Sequence, residues 1–440
     1  MKKLFNFHGG IYPPHLKSTA DLPIETLPIP KTVILPLQQN AGEAPKPVVS
    51  KGDIVFSGQL IAEGEDSFSV PLHAPISGVV DSIGPSKHPI TGEPVESIII
   101  RSDGQDIPAA VKKDYHEYFR FSPADLVKVI RNAGIVGLGG GAFPAHVKAA
   151  SSLRHGELVV ETLIINACEC EPYLSSDDRL LQERAKDVIE GAKILMYILD
   201  ASRTIVAIED NKPEAIKKLK EIVYNEPNID LAVLKARYPQ GGERQLIKTL
   251  LNKVVPSGQY PVNIGIIVNN AATAYAVAKA VKEGEPLTSR IITVTGSGIN
   301  NPKNLRVRIG TPLKDIIDYC GGTDDNLAQV IMGGPMMGIS QSSLDVPVLK
   351  CTTGIIFLSA KDSINRDFVD CFKCGKCSRV CPMKLLPNML SIHIEKGKPD
   401  LAAKYFPADC IECGCCAYIC PAKRPIVEQI KSLKIAIQQS

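Results

Sequence analysis

The chain has 440 residues, 44% of them hydrophobic, and a formal net charge of +3. That length suggests about two to four domains, and the small charge, with no block of like residues, excludes a nucleic-acid binder. The longest apolar runs, "TLIINA" and "NIGIIVNN", fall far short of the roughly 20 residues that cross a bilayer, and Pro13 and Pro14 interrupt the N-terminus before a signal core can form. The expectation is a chain that neither inserts into a membrane nor is exported. Thirteen cysteines in such a chain, eight of them in two tight groups, read as thiolate ligands in a reducing cytoplasm rather than as disulfides.

Residues 30–104 contain "VSKGDIVFSGQLIAEG" and "LHAPISGVVDSIG", two units of short strands with turns at Gly52–Asp53 and Ser77–Gly78. They resemble a lipoyl-like barrel-sandwich hybrid. Such domains can carry a cofactor on a lysine at a hairpin tip, but no lysine lies between Gly52 and Pro85. A structural or docking role is expected instead.

The next segment, "SPADLVKVIRNAGIVGLGGGAFPAHVKAA", predicts a helix capped by Ser122, a glycine-rich loop, and a second helix with Pro144 at its first turn. Gly137, Gly139, Gly140 and Gly141 let the backbone approach a ligand closely, and the helix that follows offers free N–H groups to an anion, so the loop reads as a phosphate site. It matches neither G-x-G-x-x-G nor a P-loop, and taken alone a tight turn without a ligand fits equally well. The following strand ends in a polar cluster, Asn166, Glu169 and Glu171, and ligand sites of α/β sheets gather at such strand ends. Two further strand-to-helix junctions, in "LAVLKARYPQGGERQLIKTLL" and "NIGIIVNNAATAYAVAKAV", repeat the plan. The alternation from residue 120 to 285 predicts a doubly wound sheet with four polar junctions on one edge. After it, "RIITVTGSGINNPKNLRVRIGTPLKDIIDYCGG" predicts two strands around a turn and a helix from Thr311.

Near the C-terminus the spacing C-x2-C-x2-C-x3-C-P occurs twice, in "CFKCGKCSRVCP" and "CIECGCCAYICP". Three closely spaced thiolates wrap one side of a 4Fe-4S cube, and the cysteine before proline ligates the other cube of a pair. Cys371, Cys374, Cys377 and Cys420 therefore hold one cluster, and Cys410, Cys413, Cys416 and Cys381 the other. Mixed helical spacing between the motifs predicts bridging helices rather than a hairpin. Cys415 is superfluous to both sets. Cys168, Cys170, Cys320 and Cys351 read as buried structural thiols.

The stretches "GLGGGAFPAHVK", "NACECEP", "YPQGGERQLI" and "VNNAAT" resemble the flavin-binding stretches of the respiratory complex I flavoprotein subunit, and more closely those of the RnfC subunits of Rnf electron-transport complexes. The resemblance covers nearly the whole chain. It implies that Gly137, Gly139 and Gly140 cradle FMN, that Lys148 contacts it, and that Asn166, Glu169, Asn269, Asn270 and Thr273 line its pocket. The pattern departs at Gly242–Glu243–Arg244, where the complex I flavoprotein has two adjacent acidic residues, and at Gly141–Ala142 before Phe143. FMN is thus better supported than NAD, and NAD better than NADP.

The fold class implied is a multidomain α/β chain. A hybrid domain over 1–110 precedes an FMN/NAD-binding doubly wound domain over 115–285. A β-grasp-like (SLBB) domain over 286–360 and a helical double 4Fe-4S domain over 361–440 follow. The function implied is that of a peripheral, NADH-facing subunit of an ion-translocating ferredoxin:NAD oxidoreductase, on the cytoplasmic face of the inner membrane. NAD(H) is its substrate, and its partners are other integral and peripheral Rnf subunits and ferredoxin. No residue is expected to act as an acid–base catalyst, because hydride transfer to a flavin needs positioning more than proton shuttling. Two alternatives stay open: a soluble reductase of the cobalamin-reductase type, which in the known pattern starts directly with the glycine-loop domain, and an electron carrier with an empty flavin pocket.

Overall fold

The computed structural model describes residues 4–109, 115, 117–151, 159–363 and 367–439. The expected junction at 110–115 falls almost wholly outside them.

The hybrid region pairs a four-stranded antiparallel sheet, in the order Thr32–Pro36, Pro94–Ser102, Gly78–Lys87, Ile54–Val55, with a three-stranded sheet of Lys46–Pro47, Leu60–Glu63 and Leu72–His73. Alternate residues point inward, so Val33, Leu35, Val80, Ile98 and Ile100 are buried. Their core runs on into Leu126 and Ile130 of the helix Pro123–Asn132, whose N-cap Ser122 accepts from the Asp125 amide. One buried amine adds a polar joint: Lys350 Nζ donates to Pro71 O and Gly134 O, each at 2.8 Å.

The second sheet is wholly parallel, in the order Ile229–Leu234, Arg203–Glu209, Thr162–Ala167, Ile266–Asn270. Strands covered on both faces read as near-continuous apolar runs, which is why "TLIINA" shows no alternation. The helices Ser176–Leu199 and Ala271–Glu283 pack on one face, touching where Gly191 leaves no room for a Cβ, which would lie 1.8 Å from Ala274 O. Leu246 and Ile247 of the helix Glu243–Leu251 cover Ile164, Ala207 and Val268 on the other. The strand order reverses between Thr162–Ala167 and Ile266–Asn270, and such switch points open a crevice at the carboxyl ends of the strands.

The third sheet has six strands, in the order Ile24–Thr26, Lys303–Arg308, Ser289–Thr295, Gly354–Ser359, Leu327–Met332, Ile339–Ser340. Its helix starts at Leu313, two residues beyond Thr311, because Pro312 takes the cap position. The edge strand comes from the far N-terminus, where residues 24–26 pair with residues 304–306, although they fall in the region read as hybrid. Three residues carry no periodicity by which to read that pairing.

Several short helices and the longer Ile426–Gln439 make up the C-terminal region. Pro387–Glu395 and Pro399–Ala403 bridge the two cysteine motifs, and Leu390, Ala402, Ile426 and Ile430 form its core.

Candidate functional site

The crevice at the switch point is built by the glycine loop and three strand ends. The loop closes on itself through Gly137 N–H to Phe143 O at 2.7 Å, and the Leu138 amide donates to Thr273 Oγ1 at 2.9 Å. Gly139 lies so close to Asn270 that a Cβ would come 3.3 Å from the asparagine's own. Gly140 has φ +101°, open only to glycine at little cost, and neither it nor Gly141 has anything within 4 Å of a Cβ position. The outer half of the loop is therefore bare, exposed backbone. Behind it the buried Arg290 donates from Nη2 to Leu138 O at 3.0 Å and leaves Nη1 without a protein partner. Burial lowers its guanidinium only to about 10, so a cation sits behind the loop at neutral pH.

The strand ends divide their work. Asn270 caps the helix Ala271–Glu283, accepting from the amides of Ala272 and Thr273, and donates to Asp177 Oδ2 at 2.6 Å. Asn166 donates to Gly241 O at 2.8 Å, tying the end of the strand Thr162–Ala167 to the turn that precedes the helix Glu243–Leu251. Glu169 turns its carboxylate to the start of the helix Ser176–Leu199, accepting from Asp177 N at 2.7 Å, Asp178 N at 3.1 Å and Ser176 Oγ at 3.1 Å. An anion at a helix N-terminus meets its free amides and dipole, so Glu169 shapes the crevice wall and its charge is already spent. Burial and the nearby Glu169 push the Asp177 carboxyl up. Asn269 differs from the others: it is buried, and its Nδ2 has no partner. Lys148 reaches Glu243 Oε1 at 2.8 Å and Val268 O at 2.9 Å.

Glu243, Gln245, Asp177 and Arg290 escape the sequence reading as crevice residues. A lone arginine inside the strand Ser289–Thr295 is the available signal for Arg290. Arg244, at the position where the sequence departs from the complex I pattern, turns away and donates to Val255 O, Pro256 O and Gln259 O. Of the two, it is Glu243 that faces Lys148.

Two further cavities lie in the C-terminal region. One is lined by Cys371, Cys374, Cys377 and Cys420; the other by Cys381, Cys410, Cys413 and Cys416, with Cys415. In each, the cysteine before proline comes from the opposite motif. The two motifs repeat their backbone: Lys373 and Glu412 have φ near +55°, Gly375 and Gly414 near +75°, Lys384 and Lys423 again near +55°. Amides reach the sulfurs, with Lys373 N to Cys371 Sγ and Glu412 N to Cys410 Sγ both at 3.4 Å. Burial pushes the Cys410 thiol up to about 11, so a metal-free site holds its proton and ligation releases it. Among the described residues no three His, Cys, Asp or Glu side chains converge for a single metal ion. Thiols standing around a cavity suit the four corners of a cube.

The Cys381 cavity is the one beside the crevice. Gln245, in the helix that opens after Gly242, donates to Met383 Sδ at 3.3 Å, and Met383 lines that cavity. Tyr238 packs with Cys413 and Cys415. Of the remaining thiols, Cys168, Cys320 and Cys351 are buried and Cys170 is half-buried, accepting from Gly241 N at 3.3 Å.

Four family models match in chain order: the RnfC barrel sandwich hybrid domain over 5–105, the Nuo51 FMN-binding domain over 130–279, the SLBB domain over 291–340, and the 4Fe-4S dicluster domain over 363–421. The RnfC-type protein of the proton-translocating ferredoxin:NAD(+) oxidoreductase complex of Clostridium ljungdahlii is 43% identical over 436 residues, 98% of this chain and 94% of that one. The chain belongs to the RnfC family. Among its RnfC relatives, the corresponding protein of the Na(+)-translocating ferredoxin:NAD(+) oxidoreductase complex of Acetobacterium woodii is 39% identical over 97% of this chain and 96% of its own. That of the ion-translocating oxidoreductase complex of Serratia proteamaculans is 40% identical over 88% of this chain, which spans 55% of that longer protein. Of solved structures, a NAD+-reducing [NiFe]-hydrogenase in the H2-reduced state shares the fold, with a TM-score of 0.53 at 16% identity over 73% of this chain and 65% of that one. The expected fold class is thus borne out, as are FMN and 4Fe-4S clusters as its cofactors.

Proposed function

We propose that this RnfC chain is the NAD(H)-facing member of an ion-translocating ferredoxin:NAD oxidoreductase complex, passing electrons between NAD(H) and its partner subunits. The observation that carries the reading is the contact of a flavin-type crevice with a four-cysteine cavity through Gln245 and Met383.

The residues fit both groups. Bare backbone at Gly140 and Gly141 and the unpartnered Asn269 Nδ2 await a ligand with acceptor atoms, and Arg290 gives the loop a positive background. Gly137, Gly139, Gly140, Lys148 and Asn269 are assigned direct contact with FMN. Asn166, Glu169, Asn270 and Thr273 hold the strand ends and the loop that shape its pocket. Cys371, Cys374, Cys377 and Cys420 hold one cluster, and Cys381, Cys410, Cys413 and Cys416 the other. When bound, FMN exchanges a two-electron hydride for single electrons, which the clusters carry. The chain's own contribution is orientation and exclusion: Lys148 is held by Glu243, the loop by Thr273 and Arg290, and the apolar cluster of Ile11, Tyr238, Cys413 and Cys415 keeps water from the path. No side chain is needed to move a proton.

Among the described residues no helix is long and apolar enough to cross a membrane, so attachment is assigned to partner subunits at the cytoplasmic face. Copurification tests it: the chain is expected to come down with integral membrane proteins of its native cell. A chain that stays alone in the soluble fraction, with its flavin and iron intact, would instead favour a soluble reductase.

A further inference from the structure

The N-terminal stretch "FNFHGGIYPP" contributes no strand to any of the four sheets. Its residues lie between the crevice domain and the nearer cysteine cavity. On one side, Ile11 and Tyr238 exchange backbone hydrogen bonds, Ile11 N to Tyr238 O at 2.8 Å and Tyr238 N to Ile11 O at 2.9 Å. On the other, Gly10 N donates to Val380 O at 2.8 Å. Both glycines are in the left-handed region, with φ +69° at Gly9 and +77° at Gly10. A Cβ on Gly9 would lie 2.5 Å from Val380 O and 2.7 Å from Cys381 O, and one on Gly10 would lie 2.8 Å from Tyr238 O. Only bare backbone fits this layer. Arg237 locks it from outside, its guanidinium 4.3 Å from the Phe7 ring centre and 5.6 Å from that of Tyr12.

A chain that needed only to join two domains would do so with the linker between them. Here a segment from the opposite end of the sequence is interleaved, and it holds the backbone at Val380, the residue before Cys381. Misplacing reacting groups by about an ångström can cost up to about a hundredfold in rate, so the spacing of two redox groups is felt. We propose that Phe7–Tyr12 is a positioning strap that sets the spacing between the flavin crevice and the cluster of Cys381, Cys410, Cys413 and Cys416. This rests on the electron-transfer function proposed above.

The test uses the full chain, purified anaerobically with FMN and clusters in place, mixed rapidly with NADH and followed separately at flavin and cluster absorbance. Gly9→Val pushes a side chain into Val380 and Cys381. Ile11→Ala removes packing on Tyr238 without touching the backbone and decides the matter if Gly9→Val does not fold. Gly84→Ala, at a hybrid-domain glycine with nothing within 4 Å of its Cβ position, is the control. The cluster phase is expected to slow about tenfold or more in Gly9→Val and several-fold in Ile11→Ala. Flavin reduction, iron content and the control stay at the wild-type level. Amide hydrogen exchange at Gly10, Ile11 and Tyr238, whose amides donate the strap's hydrogen bonds, is expected to rise in both strap variants, with or without NADH. A fully loaded variant with an unchanged cluster phase overturns the proposal. So does loss of iron from both variants, which makes the strap a fold element only. Wild-type clusters that stay oxidised under NADH would overturn the electron-transfer reading itself, a distinct result.

Discussion

Gln245 donates its amide to the Met383 thioether across 3.3 Å, joining the helix that opens at the crevice to the turn that follows Cys381. Gln245 is buried, and its Oε1 has no partner, so the contact sits in a water-poor seam between the two redox regions. Replacing it with Ala is expected to lower stability by about 1 kcal/mol, the net worth of one buried hydrogen bond. Urea denaturation of the iron-loaded chain measures this, with iron content unchanged.

Gly140 is held at φ +101° with open space around it. Gly140→Val keeps the space but not the conformation, at a cost of about 1–2 kcal/mol, and covers the backbone assigned to FMN. Flavin is expected to be lost on purification while iron is retained. Full flavin retention would make the loop a turn and nothing more.

The crossed cysteine sets predict which cluster each substitution removes. Cys381→Ser is expected to damage the cluster of Cys410, Cys413 and Cys416 rather than that of its own motif, lowering iron from about eight to about four atoms per chain. Cys415→Ala is expected to keep both clusters, because each cavity already has four thiols from the repeated spacing. Iron analysis and low-temperature paramagnetic resonance separate these outcomes.

Lys350 predicts a pH dependence. Burial lowers its amine to about 7, below its ordinary value of 10.5. Between these values the unfolded chain binds the extra proton, so stability is expected to rise as pH increases from about 7 towards 10. The penalty is fully present below the folded value. Lys350→Met is expected to flatten this slope by about one proton, at a cost from the two carbonyls, Pro71 O and Gly134 O, left unpaired. The pH dependence of the urea midpoint measures it.

What is legible in the sequence follows from how locally each feature is encoded. The doubly wound sheet is readable because apolar strands and capped helices alternate, and the cysteine sets because one spacing occurs twice. Glu169 stands out, but a carboxylate beside a glycine loop looks the same whether it faces a ligand or caps the helix Ser176–Leu199. Arg290 and the strand Ile24–Thr26 act on residues far away in sequence, through Leu138 and residues 304–306, and no local pattern reports such contacts. Next to the strap Pro13 and Pro14 catch the eye, while its two glycines carry the contact that matters.

On the proposed function, one chain takes electrons from NADH at the crevice and holds them in the cysteine cavities. Stepwise anaerobic addition of NADH to the purified holoprotein, followed by paramagnetic resonance with iron and flavin content known, tests it most directly. NADH is expected to reduce the flavin, and signals of two interacting 4Fe-4S clusters then to appear. Bleached flavin with both clusters still oxidised, or clusters that respond to dithionite but never to NADH, would contradict it.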